Sequence, residues 1–424
     1  MKPSCIYKII LIFLSVVWIS PLHAAKTDNT VSDSRQQLKA IIANDTIIAD
    51  DGAADDYFGG SVSVSGTRAL VGAEGNDEIG NYAGAAYVYE FNGTDWSQMD
   101  KLTANDGAAY DYFGGAVSLS GNTAMVGARG ENSLTGAVYI FEFNGLNWVQ
   151  IDKLTANDAA SGDEFGSSIS LQGDRVLIGA PRDDDNAYNS GTVYIFEFNG
   201  LSWNQAGKLL PDNTVFEELF GSAVSLDNNR ALVGASNGVN SSNVRTGTAY
   251  VFHFNGSSWN QAGKFRPSDG TATNYFGFSV SLSGDYALVG AHGHGFYTGA
   301  AYLYYYDGNS WGQEVKLTGD DSELEDAFGI SVSLNANRAL IGAYRGDNLS
   351  QVDSGAIYIF DFNGIIWAQS LKLSNNTNGA ANDFFGRSVS LSNSWVLSGA
   401  TGGNGTKGIV HIYLDDPVYM DGFE

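Results

Sequence analysis

The chain has 424 residues, with 22 Lys and Arg against 47 Asp and Glu, so its formal net charge at pH 7 is −25. A surface this acidic repels nucleic acids and anionic membranes, and nucleic acids are therefore excluded as partners. The single cysteine, Cys5, lies so close to the N-terminus that a processed chain would contain no disulfide bond. A chain of this length fits two or three domains unless internal repeats join it into one.

Residues 1–24 have the features of a secretory signal peptide. Lys2 and Lys8 give a positive start, an apolar run follows from Ile9 to Ile19, and Ala24 offers a small residue at a cleavage site. This run is shorter than the roughly 20 apolar residues that a membrane-spanning helix needs. We therefore expect cleavage, no membrane insertion and a secreted protein, extracellular or periplasmic, whose residues 25–40 form a flexible segment.

The rest of the chain is organised by a repeat that starts with Phe-Gly and continues with alternating Ser and aliphatic residues. Its seven copies are separated by 52 to 57 residues and begin at Phe58, Phe113, Phe165, Phe220, Phe276, Phe328 and Phe385. A period of this length is typical of repeat architectures whose units pack side by side.

The second copy shows the secondary structure that the repeat predicts. Alternation over residues 116–120 and 123–128, interrupted by two turn residues, indicates a β-hairpin. An aromatic run, residues 136–143, ends at Asn144-Gly145, a strong hairpin signal, and a strand with Trp148 follows. Four short strands per copy predict an all-β, seven-bladed β-propeller over residues 41–414, in which Phe113 and its counterparts fill space between blades.

The seventh copy lacks a fourth strand, because the chain ends soon after Tyr413 without the expected Trp. The N-terminal segment supplies a substitute, since residues 46–54 align with 101–109 and Ile41 aligns with Trp96. We therefore predict that this segment is the outer strand of the last blade and closes the ring, which removes an exposed sheet edge. Residues 415–424 remain as a C-terminal tail without an assigned role.

The Phe-Gly start, together with Gly-Ala at the end of each second strand and Gly179-Ala180-Pro181 in the third copy, resembles the FG-GAP repeat family. This family includes the N-terminal propeller of integrin α-chains and many exported bacterial proteins. The resemblance implies a seven-bladed propeller in an extracellular or periplasmic setting and, loosely, a role in interactions. The family's calcium loops lie between strands one and two, but that turn here has two residues, as in Gly121-Asn122, so no calcium ligands carry over.

In such blades, the loops between strands two and three and the loops between blades emerge on one face, called here the loop face. Acidic residues gather there before each Phe-Gly: Asp50, Asp51, Asp55, Asp56, Asp106, Asp111, Asp158, Asp163, Glu164, Glu217, Glu218, Asp269, Asp320, Asp321, Glu325 and Asp326, with Asp183, Asp184 and Asp185 after Arg182. They are either turn formers or ligands for calcium. We assign no cofactor, and calcium at these acidic loops is the alternative.

Four short motifs match known functional patterns but fit turns better. Arg345-Gly346-Asp347 is the integrin-recognised tripeptide, and residues 308–312 match the hydrolase Gly-x-Ser-x-Gly pattern without the strand and helix that it requires. Residues 403–408 imitate a dinucleotide fingerprint without a following helix. His292 and His294 lack a third metal ligand, so a solvated loop is expected.

The sequence thus predicts a non-enzymatic, monomeric propeller whose loop-rich face binds a protein or a glycan at the cell surface or in the periplasm. No catalytic, cofactor-binding or metal-binding residue is assigned. The alternative is a glycan lyase or hydrolase with its site at the axial funnel, which would need paired acids or a His, Tyr and Arg group around the axis.

Overall fold

Seven four-stranded antiparallel sheets form the fold of this protein in a computed structural model that describes residues 39–347, 352–374 and 380–417. Sheets of this number and composition confirm the predicted all-β, seven-bladed propeller. The predicted signal peptide, residues 25–38 and tail residues 418–424 lie outside the described residues.

Each blade contributes one strand to each of four concentric layers. The innermost strands are β2 (Ser61–Ser65), β6 (Phe113–Ser120), β10 (Ser168–Gln172), β14 (Phe220–Asp227), β18 (Ser279–Ser283), β22 (Ser331–Asn335) and β26 (Phe385–Leu391). The second strands are β3 (Arg68–Ala73), β7 (Thr123–Ala128), β11 (Arg175–Ala180), β15 (Arg230–Ala235), β19 (Tyr286–Ala291), β23 (Arg338–Ala343) and β27 (Trp395–Ala400).

The outer two layers hold the aromatic strands. The third strands are β4 (Ala85–Phe91), β8 (Ala137–Phe143), β12 (Thr192–Phe198), β16 (Thr248–Phe254), β20 (Ala300–Tyr306), β24 (Ala356–Phe362) and β28 (Ile409–Pro417). The outermost strands are β5 (Trp96–Leu102), β9 (Trp148–Leu154), β13 (Trp203–Leu209), β17 (Trp259–Phe265), β21 (Trp311–Leu317), β25 (Trp367–Ser374) and β1 (Lys39–Ile47). Blades 1 to 6 are β2–β5 through β22–β25, and blade 7 is β26–β28 with β1.

The innermost strands contact one another around a closed ring, and β2 meets β26 where blade 1 adjoins blade 7. One serine of each innermost strand accepts a hydrogen bond from a backbone N–H of the neighbouring blade. The Leu119 N–H donates to Ser63 Oγ at 3.0 Å, and the Val64 N–H donates to Ser390 Oγ at 3.1 Å and completes the ring. The accepting serines are Ser63, Ser118, Ser170, Ser225, Ser281, Ser333 and Ser390. Small polar residues therefore recur on these strands because they join the blades.

The two glycines of the repeat allow neighbouring blades to approach at the start of each innermost strand. Gly114, the Gly of Phe-Gly, has φ +92°, a conformation that L side chains rarely adopt. A Cβ on Gly72, in the Gly-Ala of the preceding blade, would lie only 1.9 Å from the Gly114 carbonyl oxygen. The Phe-Gly and Gly-Ala dipeptides are thus two sides of one contact between blades.

The Phe of each Phe-Gly fills the space between adjacent sheets. Phe113 is 1 % exposed and packs edge-to-face against Tyr139 and Phe141, with ring centroids 5.5 and 6.0 Å apart. Its cluster also includes Leu70 and Val88 of blade 1. The packing predicted for this residue is therefore confirmed.

Strand β1 closes the ring by pairing with β28, as the sequence predicts. Ile41 lies opposite Asp415 and Thr46 opposite His411, a register equivalent to Trp96 opposite Phe91 in blade 1. Strand β1 starts two residues before the predicted boundary at 41, and β28 ends three residues after the one at 414.

The described residues hold three four-residue helical turns, α1 (Glu131–Leu134), α2 (His294–Tyr297) and α3 (Gly403–Thr406), each between a second and a third strand. Each contains residues in the left-handed region, such as Phe296 with φ 60° and ψ 46° in α2. Within the described ranges, no helix is long and apolar enough to cross a membrane.

Candidate ligand-binding face

The loop face is built from pairs of loops that hold one another by backbone hydrogen bonds. The Tyr112 N–H donates to the Tyr82 carbonyl at 3.0 Å, and the Phe113 N–H donates to the Ala83 carbonyl at 3.0 Å. Tyr112 lies in the connection between blades 1 and 2 and Phe113 is the first residue of β6, whereas Tyr82 and Ala83 lie between β3 and β4. Both kinds of loop therefore emerge on the same face, as predicted.

The residue two positions before each Phe of Phe-Gly is buried and stabilises a turn. Asp111, for example, accepts a hydrogen bond from the Ala108 N–H at 2.7 Å. The buried set comprises Asp56, Asp111, Asp163, Glu218, Asn274, Asp326 and Asp383. The five aspartates of this set each accept a hydrogen bond from the backbone N–H three residues earlier, so the turn-forming interpretation accounts for their side chains.

A second set of the predicted acids is neutralised by lysines of the outermost strands. In blade 1, Asp51 accepts hydrogen bonds from Lys101 and from the Tyr87 hydroxyl, the latter at 2.9 Å, and Lys101 also pairs with Glu78. Burial opposes ionisation of Asp51, but the bonds from Lys101 and Tyr87 hold its pKa below the ordinary value. The other networks join Lys153 to Asp106 and Glu131, Lys208 to Asp158 and Asp185, Lys316 to Asp269 and His294, and Lys372 to Asp321.

Blade 4 builds the same network with a different acid. Asn213 stands where blade 2 has Asp106, and Glu218, which is fully buried, accepts the Tyr250 hydroxyl instead. Lys264 Nζ donates to the same hydroxyl and lies 3.8 Å from Glu218 Oε1. Burial raises the pKa of Glu218 and lowers that of Lys264.

Several of the remaining predicted acids are also engaged in the structure. Glu164 pairs with Arg182 at 3.0 Å, Glu217 pairs with Arg245 at 3.3 Å, and buried Asp183 accepts the Tyr194 hydroxyl at 2.7 Å. In the part of the chain that the structure describes, no group of three or more His, Cys, Asp and Glu is placed to hold a metal ion. The assignment of no cofactor, with calcium at the acidic loops as the alternative, stays a prediction.

Burial of Asp326 gives a testable pH dependence. Its side chain is 5 % exposed, and desolvation raises its pKa from 3.8 to about 6. The folded state therefore carries a penalty above pH 6 that is relieved as the pH falls from 6 towards 4. We expect Asp326→Asn to raise the free energy of unfolding at pH 7 by about 3 kcal/mol, since each pKa unit corresponds to about 1.4 kcal/mol. The gain should vanish below pH 4.

Denaturant unfolding of both proteins at pH 7 and pH 4 measures this difference. Asn274 occupies the corresponding position in blade 5, so the amide is compatible with this turn. Asp95→Asn, at an exposed hairpin tip, is the control and should leave the free energy of unfolding unchanged at both pH values. An equal gain at both pH values, or a loss at pH 7, would contradict the assignment.

Aromatic residues of blades 5 to 7 and two arginines form a further cluster on the loop face, called here the aromatic–arginine patch. It comprises Tyr275, Phe278, His292, Tyr297, Tyr344, Arg345, Phe384 and Arg387. Most of these directly flank a Phe-Gly or follow a Gly-Ala. Because both dipeptides stand at the loop-face ends of the two innermost strands, the patch lies near the axis of the ring.

His292 is at the centre of the blade 5 part of the patch. It stacks on Tyr275 with ring centroids 5.1 Å apart and planes 6° apart, and meets the Phe278 ring edge-on at 4.5 Å. Burial, followed by the charge of Arg387, lowers the pKa of His292 to about 4, so the imidazole is neutral at pH 7. Arg387 belongs to blade 7, two blades away from His292, and its charge still lowers the pKa of this imidazole. Both side chains therefore lie near the axis of the ring.

The blade 6 part of the patch is a tyrosine between two arginines. The guanidinium carbons of Arg345 and Arg387 each lie 5.4 Å from the centroid of the Tyr344 ring. Neither arginine forms an ion pair with a described carboxylate. By contrast, Arg129 near the axis in blade 2 is paired with Glu74.

The expectation of a solvated loop at His292 and His294 is wrong. His292 is held among aromatic rings, and His294 Nε2 accepts a hydrogen bond from Lys316 Nζ at 2.7 Å. The two rings have separate environments, and they do not belong to a group of described side chains that could hold a metal ion. His292 directly follows β19, whereas His294 begins α2, and only His292 contacts the rings of the patch.

The other motifs lie in turns. In the Arg-Gly-Asp triplet, the Gly346 N–H donates a hydrogen bond to the carbonyl of Ala343, two residues before the triplet, at 3.0 Å. Residues 308–310 lie in the hairpin between β20 and β21. Residues 403–406 form α3, in which Asn404 and Gly405 have left-handed dihedral angles. Residues 308–312 and 403–408 therefore lack the strand and helix context that their functional patterns require.

A ring of seven four-stranded sheets with its loops gathered on one face defines the class of seven-bladed β-propellers. The sequence profile of the FG-GAP repeat matches seven segments, residues 43–89, 96–141, 148–196, 203–252, 259–304, 311–360 and 367–413. The chain therefore belongs to the FG-GAP repeat family. A comparison with curated proteins finds no significant match.

Proposed function

We propose that this protein is an exported, monomeric and non-enzymatic propeller that uses its loop face to bind a protein or a glycan. The signal-like residues 1–24 support export, with the cell surface or the periplasm as the place of action. Family membership agrees with such a role, although a propeller fold serves many functions.

The observation that carries this proposal is the distribution of exposed aromatic side chains. Of the eight exposed Phe and Tyr residues in the described ranges, seven lie on the loop face: Tyr57, Tyr110, Tyr188, Phe216, Phe278, Phe296 and Tyr297. The eighth is Tyr305 of strand β20. Aromatic residues are enriched at binding interfaces because they bury much area with little loss of conformational entropy. Their concentration on one face supports that face as the binding surface.

A binding assay with a variant on each face tests the proposal. We expect Phe296→Ala/Tyr297→Ala to weaken binding to envelope proteins or arrayed glycans at least 10-fold without changing the melting temperature. The matched control is Leu201→Ala, because Leu201 is 93 % exposed at a hairpin tip on the opposite face. If the Leu201 variant loses binding and the loop-face variant keeps it, the loop face is not the binding surface.

A second candidate is a glycan lyase, which the patch favours through a specific arrangement of groups. Neutral His292 lies beside Tyr275 and Tyr297, and Arg387 is close enough to influence its pKa. In β-elimination, a base removes the proton next to a uronate carboxylate, the bond to the neighbouring sugar oxygen breaks, and an acid protonates that oxygen. Unsaturated sugar products, lost in His292→Ala, would establish this activity in place of simple binding.

A further inference from the structure

We infer that the aromatic–arginine patch recognises an anionic oligosaccharide, one whose pyranose rings carry carboxylate groups. The inference rests on the proposed binding function and names the ligand class for the same face. It is carried by the charge and the ring surfaces of blades 5 to 7.

The charge of the patch is opposite to that of the protein. In a chain with 47 acidic and 22 basic residues, Arg345 and Arg387 have no described carboxylate partner, although most arginines here do. Both are exposed and both lie beside the Tyr344 ring. A guanidinium group binds a carboxylate through two parallel hydrogen bonds, so these arginines provide two positions for acidic groups.

The rings of the patch supply the second requirement. Phe278 and Tyr297 are exposed, and the Tyr275, His292 and Tyr344 rings are partly exposed. The C–H face of a pyranose ring is apolar and packs on an aromatic ring, whereas its hydroxyl groups stay in water. Flat rings next to two guanidinium groups therefore match a chain of sugar rings that each carry one carboxylate.

The backbone next to the patch holds an aromatic side chain in a strained conformation. Phe296 and Tyr297 have φ of 60° and 66° within α2, and Phe296 is 85 % exposed. The same left-handed conformation recurs in α1 and α3, so the feature particular to blade 5 is the exposed Phe296 that this loop holds. An apolar side chain kept in solvent in this way gains burial only when a ligand covers it.

Calorimetric titration with an oligogalacturonate, and with the fully methyl-esterified form of the same oligosaccharide, tests the inference. We expect binding of the acid and at least 10-fold weaker binding of the ester. Arg345→Ala/Arg387→Ala should remove this preference, whereas Arg387→Lys alone should keep part of it. The matched control is Arg182→Ala, because Arg182 already pairs with Glu164 and should be unimportant for the ligand. Thermal melts of each variant exclude loss of folding.

The outcomes separate this inference from the proposed function. Equal binding of acid and ester, no binding of the acid, or undiminished binding by the double arginine variant would overturn the inference. Displacement of the oligosaccharide by an acidic peptide at similar concentration would also overturn it, in favour of a protein ligand on the same face. In each of these cases, the assay with Phe296→Ala/Tyr297→Ala still decides whether the loop face binds at all.

Discussion

A chain without residues 26–48 is expected to unfold at a much lower temperature than the complete protein, with a loss of roughly 5 kcal/mol or more. The deletion removes strand β1, whose register covers eight residue pairs with β28. Each lost ladder hydrogen bond contributes about 1 kcal/mol. It also removes Ile47, which is 4 % exposed and belongs to the cluster of Trp395 and Ile412. Thermal unfolding followed by circular dichroism measures the change.

Two controls show whether the loss comes from strand pairing. A synthetic peptide of residues 39–48, added in excess, should restore the melting temperature of the truncated protein because it can occupy the vacant edge. In the complete protein, Ile47→Asp should be destabilising, whereas Ile48→Asp should be nearly neutral because Ile48 is 46 % exposed. An unchanged melt of the truncated protein would show that the ring does not depend on this strand.

Replacement of Phe113 by Ala is expected to lower the free energy of unfolding by about 3–5 kcal/mol. The side chain fills the space between blades 1 and 2, and its loss leaves a cavity beside Tyr139 and Leu70. Within this total, the edge-to-face contacts with Tyr139 and Phe141 account for about 1 kcal/mol each. Denaturant unfolding gives the value directly.

Leu146→Ala is the matched control for this prediction. Leu146 is 82 % exposed at the hairpin tip of the same blade, so it also loses apolar atoms but leaves no cavity. Its variant should differ from the wild type by less than about 0.5 kcal/mol. A Phe113 variant as stable as the Leu146 variant would mean that this ring does not support the contact between blades.

The ring and its closure could be predicted from sequence because each rests on a pattern that repeats. Seven Phe-Gly copies fixed the number of blades, and the missing Trp of the seventh copy indicated that another segment supplies its outer strand. Ile41 and Thr46 then aligned correctly with Trp96 and Lys101. Period-2 alternation and turn residues were sufficient to predict the strands because tertiary contacts did not override these local preferences.

The lysine networks of the loop face were missed although the sequence contained their signal. A Lys follows the outer-strand Trp by five residues in six blades, as in Trp96 and Lys101, and a Tyr precedes that Lys by 14. A comparison of the copies at these positions would have linked the lysines to the nearby acids. It would also have shown that blade 7 has Thr46 and His411 instead.

The aromatic–arginine patch could not be found in the same way. Tyr275, His292, Tyr344 and Arg387 come from three blades and from positions at which the copies differ from one another. Their proximity depends on the curvature of the ring, which brings loops that are up to about 110 residues apart in the chain to one axis. A site formed by positions that differ among the copies produces no periodic pattern in the sequence.

The pairing of β1 with β28 has a kinetic consequence. The two strands are separated by more than 360 residues, so the chain must close one very long loop before its ring is complete. Contacts of such separation slow folding, and a growing chain exposes its first strand long before the partner strand exists. Until the ribosome has made residues 409–417, an unpaired edge stays open to other chains, and a chaperone that covers it would raise the yield of folded protein.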